Sequence, residues 1–95
     1  MWTVVIHPLV FEEDFRKIDR PAQQRILKAL YKKLQTSPME YGKPLTGSLK
    51  GYWRLRVDDY RVIYRLERER VQVFVIKVGI RRDDEVYDQM SFRLS

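Results

Sequence analysis

Three arginines lie at positions where a β-hairpin would place them on one face of a sheet. Residue character alternates on both sides of Asp58 and Asp59, which is the period-two pattern of paired strands. With these two residues as the turn, Arg56 lies directly opposite Arg61, and Arg54 shares their face. Like charges opposite one another destabilise a hairpin. We therefore predict that the arginines hold an anion, and RNA phosphate is the candidate.

Two more arginines follow the most apolar strand of the sequence. Residues 71–78 are predicted to form this last strand, antiparallel to residues 60–66, with Gly79 ending it. Its C-terminal end then returns beside Arg61, so Arg81 and Arg82 reach the same end of the sheet. The planar guanidinium fork matches the oxygens of a phosphate, so this set of side chains suits charge stabilisation at phosphorus.

The N-terminal half must supply the elements that support this sheet. Residues 2–6 are predicted to form a first strand, and residues 9–18 a first helix. Asp19 is the predicted N-cap of a second helix, with Pro21 in its first turn. Apolar residues then recur at 3.6-residue spacing, which predicts a helical hairpin packed on the sheet. The stripe consists of Ile26, Leu27, Leu30, Tyr31 and Leu34.

The two faces of the sheet are predicted from the same alternation. Residues 39–51 are expected to form a loop, and residues 83–92 a short final helix or tail. One face turns towards the helices and carries Trp53, Leu55, Val57, Tyr60, Val62, Tyr64, Val73 and Val75. The opposite face carries the arginines together with Ile63, Phe74 and Ile76.

Composition places further bounds on the protein. Its 95 residues predict a single domain, residues 1–95, and the 44% hydrophobic content argues against disorder. The net charge of +6 indicates a polyanionic partner or a solvated basic surface. No cysteine, signal peptide or membrane-spanning run is present, so we expect no disulfide and a cytoplasmic location. His7 is the only histidine, which excludes a two-histidine ribonuclease mechanism. We expect no metal and no cofactor.

Three segments carry a resemblance to a known family. Residues 43–56 (KPLTGSLKGYWRLR), 59–64 (DYRVIY) and 78–87 (VGIRRDDEVY) resemble the RelE branch of the RelE/ParE toxin superfamily. The resemblance implies an α+β fold with a four-stranded antiparallel sheet, an N-terminal helical hairpin on one face and a short C-terminal helix. It also implies the toxin of a type II toxin–antitoxin pair, which cuts mRNA in the ribosomal A site and is inhibited by a small antitoxin. We expect that antitoxin to be acidic.

The resemblance assigns roles to individual residues. It places Arg61 and Arg81 at the phosphate that is cut, and Tyr87 where a tyrosine stacks on or orients the RNA. Arg54 and Arg56 stand where the best-known members have two catalytic lysines. Arginine stays charged in a protein, so these residues can bind RNA and stabilise charge but are poor bases. Either another group takes the proton from the ribose 2′-hydroxyl, or catalysis is mostly electrostatic. Arg82 is a further RNA-binding candidate.

Two other functions remain compatible with the sequence. A ParE-like toxin would inhibit DNA gyrase by binding, with no nuclease activity. A degenerate homologue would only bind its antitoxin or RNA. Arg61, Arg81 and Tyr87 favour the nuclease, whereas arginine in place of lysine at Arg54 and Arg56 weakens that case.

Overall fold

The computed structural model describes residues 1–80 and Arg93. Within these residues the strands form one mixed sheet of five, in the order β1-β5-β4-β3-β2. The strands are β1 Thr3–Ile6, β2 Lys43–Pro44, β3 Tyr52–Val57, β4 Tyr60–Glu67 and β5 Gln72–Ile80. The α-helices are α1 Pro8–Glu12, α2 Arg20–Ala29 and α3 Pro38–Tyr41. None of the described helices is long and apolar enough to cross a membrane.

The predicted hairpin is confirmed in its turn and its register. Val57 pairs with Tyr60 across Asp58 and Asp59, so β3 and β4 are joined by a two-residue turn. Asp58 takes the left-handed conformation, with a φ of 53°, which aspartate adopts more readily than most residues. Its carboxylate accepts a 2.7 Å hydrogen bond from Arg25 Nε on α2. This contact ties the hairpin turn to the helical layer.

The expectation of a four-stranded antiparallel sheet is wrong in two respects. β1 runs parallel to β5, with Thr3 opposite Gln72 and Ile6 opposite Val75. The helices follow β1 directly, so the chain cannot turn back on β1 as a hairpin. Parallel strands need a long connection of this kind. The second difference is β2, whose two residues pair antiparallel with β3 inside the region predicted to be a loop.

The first predicted helix is also different from the observed one. Residues 9–18 do not form one α-helix: α1 ends at Glu12, and a 3₁₀ helix follows at Asp14–Lys17. Consecutive residues Asp14 and Phe15 are both buried there. The tighter 3₁₀ winding lets Asp14 reach the sheet while Phe15 enters the apolar core.

The second helix follows the prediction closely. Asp19 occupies the N-cap position with an extended backbone, although its side chain makes no capping bond, and Pro21 lies in the first turn. Gln23 Nε2 closes the preceding turn instead, donating to the carbonyls of Phe15 and Ile18 at 2.7 and 2.8 Å. α2 continues as a π-helical turn at Leu30–Leu34. Of the predicted stripe, the fully buried residues are Ile26, Leu30 and Leu34, while Leu27 is half-buried and Tyr31 is exposed.

The main core lies between the helices and one face of the sheet, as predicted. Its sheet residues include Leu55, Val57, Val62, Tyr64, Val73 and Val75, with Trp53 and Tyr60 packed against them. On the opposite face, Ile63 is fully buried beneath Leu45, Leu49 and Tyr52. Segments from the predicted loop therefore cover part of the arginine-bearing face with a second, small apolar cluster.

β5 ends two residues later than predicted. Gly79 does not end the strand, because it pairs with Arg61 and the strand continues to Ile80. A β-bulge at Ile63/Tyr64 shifts the register between β4 and β5. The predicted helix over residues 83–92 lies outside the described residues.

Candidate nucleic-acid interface

Arg56 and Arg61 face each other across the β3–β4 hairpin. The register places them directly opposite, and Gly79 is the neighbour of Arg61 on β5. Arg56 is exposed and Arg61 is half-buried. Gly79 contributes no side chain beside Arg61. Two guanidinium groups at directly opposed positions repel each other, and a bound anion would interact favourably with both.

Arg54 lies on the same face, two residues before Arg56 on β3. Its neighbours are Ile63 on β4 and Lys43 on β2. The predicted grouping of Arg54, Arg56 and Arg61 is thus present in the fold. Lys43 was missed as a member of this face because β2 has only two residues, one of them proline, in a segment rich in turn residues. Lys43 is the first residue of the segment 43–56, which resembles the RelE branch, and that position was the one signal that could have identified it.

The remaining predicted site residues lie outside the described part of the chain. These residues are Arg81, Arg82 and Tyr87. The structure describes the strand that leads to them: Ile80 pairs with Tyr60, beside Arg61. The prediction that β5 returns to this end of the sheet is confirmed. The roles of the three residues stay predictions.

A buried ionic cluster lies at the edge of β5. Asp14 receives two bonds from Arg93, Nη1 to Oδ2 at 2.7 Å and Nη2 to Oδ1 at 2.6 Å. Lys77 Nζ donates to Asp14 Oδ1 at 2.7 Å. The side chains of Asp14 and Arg93 are only 1% and 2% exposed. Glu13, 60% exposed, lies 3.5 Å from Arg93.

This cluster completes the part of the sheet edge that β1 does not reach. β1 ends at Ile6 opposite Val75. Beyond that point, the Val78 amide donates to Asp14 at 2.9 Å and the Ile76 carbonyl accepts from Arg93 at 2.9 Å. Side chains thereby satisfy backbone groups that would otherwise be buried without partners. Sequence reasoning missed this cluster, although a lysine in the otherwise apolar strand was a signal of a buried ion pair.

Aromatic and ionic side-chain contacts lie at the far end of the sheet, around Phe74. His7 Nδ1 accepts from the Leu9 amide at 3.1 Å, and the His7 ring stacks on Phe74. Arg65 Cζ lies 5.0 Å from the centre of the Phe74 ring, and Arg65 Nε lies 3.0 Å from Glu67 Oε1. A groove of about 820 Å³ is lined by residues of this end, away from Arg56 and Arg61. This groove is therefore separate from the face that carries Arg56 and Arg61.

Tyr64 fixes the position of the strand that carries Arg61. Its hydroxyl donates to the Pro38 carbonyl at 2.6 Å, and its ring stacks on Trp53. Burial raises the pKa of Tyr64 above its ordinary value of 10.0. A Cβ at Gly42 would overlap the Tyr64 hydroxyl. Glycine at position 42 therefore allows α3 and β2 to pack against β4.

The described residues offer no obvious metal site. Within residues 1–80 and Arg93, no group of three metal-ligating side chains comes together. Arginine and lysine side chains provide the charge on the candidate face.

The sequence is similar to known toxins over most of its length. Residues 4–85 match the family described as the ParE toxin of type II toxin–antitoxin system, parDE. The protein named mRNA interferase toxin RelE of Escherichia coli is 34% identical over 83 residues, covering 86% of each chain. Toxin RelG of Mycobacterium tuberculosis is 29% identical over 70 residues, covering 74% of this chain and 80% of RelG.

Solved structures agree with this similarity. The toxin–antitoxin complex RelBE2 from Mycobacterium tuberculosis contains a chain that matches with a TM-score of 0.78 and 26% identity. The match covers 84% of this chain and 98% of that one. A mutant of Escherichia coli toxin RelE, in complex with a peptide of the antitoxin RelBc, matches with a TM-score of 0.65 and 29% identity, covering 93% and 92% of the two chains.

Proposed function

This chain belongs to the ParE toxin family of type II toxin–antitoxin systems, and from that premise we propose that it is an mRNA interferase of the RelE branch. Its substrate is mRNA on the translating ribosome, and the whole chain, residues 1–95, is one toxin domain. The name of the 34% identical Escherichia coli relative supports this activity. Because translating ribosomes are cytoplasmic, we expect the activity in the cytoplasm.

The observation that carries the proposal is the like-charge pair of Arg56 and Arg61. The two residues face each other on adjacent strands at an open surface. Like charges at directly opposed positions of adjacent strands repel each other. A phosphate between the two guanidinium groups would turn that repulsion into two charge-assisted contacts. A charged face of this kind suits binding of a polyanion and stabilisation of negative charge that develops at phosphorus.

The reaction that fits this face is attack of the ribose 2′-oxygen on the adjacent phosphorus. The 2′-hydroxyl loses its proton, the new O2′–P bond forms, and the P–O5′ bond breaks with protonation of O5′. The products are a 2′,3′-cyclic phosphate and a 5′-hydroxyl. Arg61, with Arg56 and Arg81, stabilises the charge on the phosphoryl oxygens, and Tyr87 stacks on the RNA. The ribosome supplies orientation by holding the message in an attack-ready geometry.

The proposed physiological partner is a cognate acidic antitoxin. Two of the matching toxin structures are complexes with an antitoxin or an antitoxin peptide, as their descriptions state. This chain carries a net charge of +6, and its proposed site is an open face. A short acidic protein that folds on binding can cover such a face.

Primer extension tests the proposal against gyrase inhibition. A message is translated with and without the protein, and the 5′ ends of the fragments are mapped. We expect new stops within codons only when translation proceeds, and no change in gyrase supercoiling. The family description includes ParE toxins, so loss of supercoiling with an intact message would instead assign the chain to the gyrase-inhibiting class.

A further inference from the structure

The candidate face contains a second like-charge pair, formed by Lys43 and Arg54. Lys43 on β2 lies directly opposite Arg54 on β3. Paired residues of antiparallel strands point to the same face of the sheet, with Cβ atoms about 5 Å apart. Lys43 therefore shares the face of Arg56 and Arg61. Lys43 is exposed, and Arg54 is half-buried.

The second pair stands beside the first at a regular distance. Arg54 and Arg56 are two residues apart on β3, which separates the two pairs by about 7 Å along the strand. This distance is comparable with the spacing of neighbouring phosphates along an extended RNA strand. Two cations on facing strands, repeated after two residues, thus provide one phosphate position per pair.

We propose that Lys43 and Arg54 form a second phosphate subsite, which holds the RNA phosphate next to the one that is cut. This inference rests on the proposed function. It also gives the direction of the bound RNA, whose backbone would run along β3. Arg56 and Arg61 hold the reacting phosphate and Lys43 holds its neighbour, while Arg54 lies between the two phosphates and contacts the neighbour together with Lys43. Lys43 is a positioning residue, since its phosphate does not react.

A positioning role predicts a specific kinetic pattern. Lys43→Gln should raise the KM for ribosome-dependent cleavage about tenfold, because one charge-assisted contact is lost, with little change in kcat. Lys43→Arg should restore the wild-type KM, because it keeps the charge. Lys28→Gln is the matched control: Lys28 is exposed on α2, on the helical side of the sheet. A KM for Lys43→Gln equal to that of Lys28→Gln would overturn the proposal.

An mRNA with one chemically modified linkage can identify the phosphate that Lys43 contacts. One methylphosphonate, which removes a single backbone charge, is placed at either linkage next to the cut. At one of these positions the cleavage efficiency of the wild-type protein should fall at least as much as Lys43→Gln lowers it on the unmodified message, because the contacts of both Lys43 and Arg54 are weakened. At that position the Lys43→Gln variant should lose clearly less efficiency than the wild type, because only its Arg54 contact remains. If the methylphosphonate and Lys43→Gln lower the cleavage efficiency independently at both linkages, the proposed subsite is contradicted.

A binding measurement keeps this test separate from cleavage. We measure the affinity of short single-stranded RNA at several salt concentrations. The slope of log K against log salt should fall in magnitude by about 0.7 in Lys43→Gln and stay unchanged in Lys28→Gln. If the wild-type protein does not cleave mRNA, the proposed function is refuted. The change in this salt slope would still show whether Lys43 binds a phosphate. An unchanged slope, with weaker binding of an acidic protein partner, would assign the pair to that partner and overturn the proposal.

Discussion

Arg61 lies between Arg56 on β3 and Gly79 on β5, and we propose that it contacts the phosphate that is cut. Its contribution is a planar guanidinium group, whose fork matches the oxygens of a phosphate. We expect Arg61→Ala to lower single-turnover cleavage by about 10²-fold, because an electrostatic donor to the transition state is lost. Arg68→Ala is the control, at an exposed turn about 20 Å away along β4. Equal losses for the two variants would show that the reacting phosphate lies elsewhere.

Tyr87 can contribute through its ring or through its hydroxyl. If it stacks on a base, Tyr87→Phe keeps the ring and should change the cleavage rate only mildly. Tyr87→Ala removes the stacking surface and should be much slower. The three rates are compared in single-turnover reactions on ribosomes. A Tyr87→Phe rate as low as that of Tyr87→Ala would mean that the hydroxyl orients the RNA or transfers a proton.

Tyr64 predicts how stability depends on alkaline pH. Burial raises the pKa of this phenol above its ordinary value of 10.0, so the folded state keeps a proton that the unfolded chain releases. The free energy of unfolding should therefore fall as pH rises above about 10. Tyr64→Phe should flatten that decline, yet cost about 1 kcal/mol at pH 7 through the lost bond to Pro38. Urea unfolding from pH 7 to 11 measures both effects.

The control for this pH series is Tyr31→Phe, an exposed tyrosine on the helical side. It should reproduce the wild-type curve. A Tyr64→Phe curve that declines as steeply as the wild type would refute the assignment of the alkaline transition to Tyr64.

At the scale of elements, the edge of β5 depends on Asp14. This carboxylate receives bonds from Arg93, Lys77 and the Val78 amide, and almost none of it is exposed. Asp14→Ala leaves two buried cations without that partner, so we expect a loss of about 3–5 kcal/mol in the free energy of unfolding. Glu13→Ala removes only an exposed partner and should cost less than about 1 kcal/mol. Similar urea midpoints for the two variants would contradict this assignment.

The same elements show what the sequence could and could not predict. Alternation around Asp58 and Asp59 is a local signal, and it correctly predicted the hairpin, its register and the face shared by Arg54, Arg56 and Arg61. The direction of β1 depends on a partner about 70 residues away in sequence, for which no local pattern exists. β2 is too short for any periodicity. The 3₁₀ helix at Asp14 forms because of a tertiary contact, which overrides the helical spacing of its neighbours.

At the scale of the whole molecule, the net charge of +6 should govern association with the acidic partner. Opposite net charges steer the two proteins together, so the association rate should fall steeply between low and physiological salt. The dissociation rate should change much less. Stopped-flow mixing with the purified antitoxin, at two salt concentrations, measures both rates. If a co-expressed acidic antitoxin does not copurify with this protein, the toxin–antitoxin assignment is contradicted.

We propose that the arginine-rich face of this protein cuts mRNA only when the ribosome presents the message. The most direct measurement compares the rate of cleavage of one message, bound in programmed ribosomes or free in solution, with a metal chelator in both reactions. We expect fast cleavage on the ribosome and little cleavage of the free message, because the arginine-rich face supplies charge while the ribosome supplies orientation. Equally fast cleavage of the free message would contradict it.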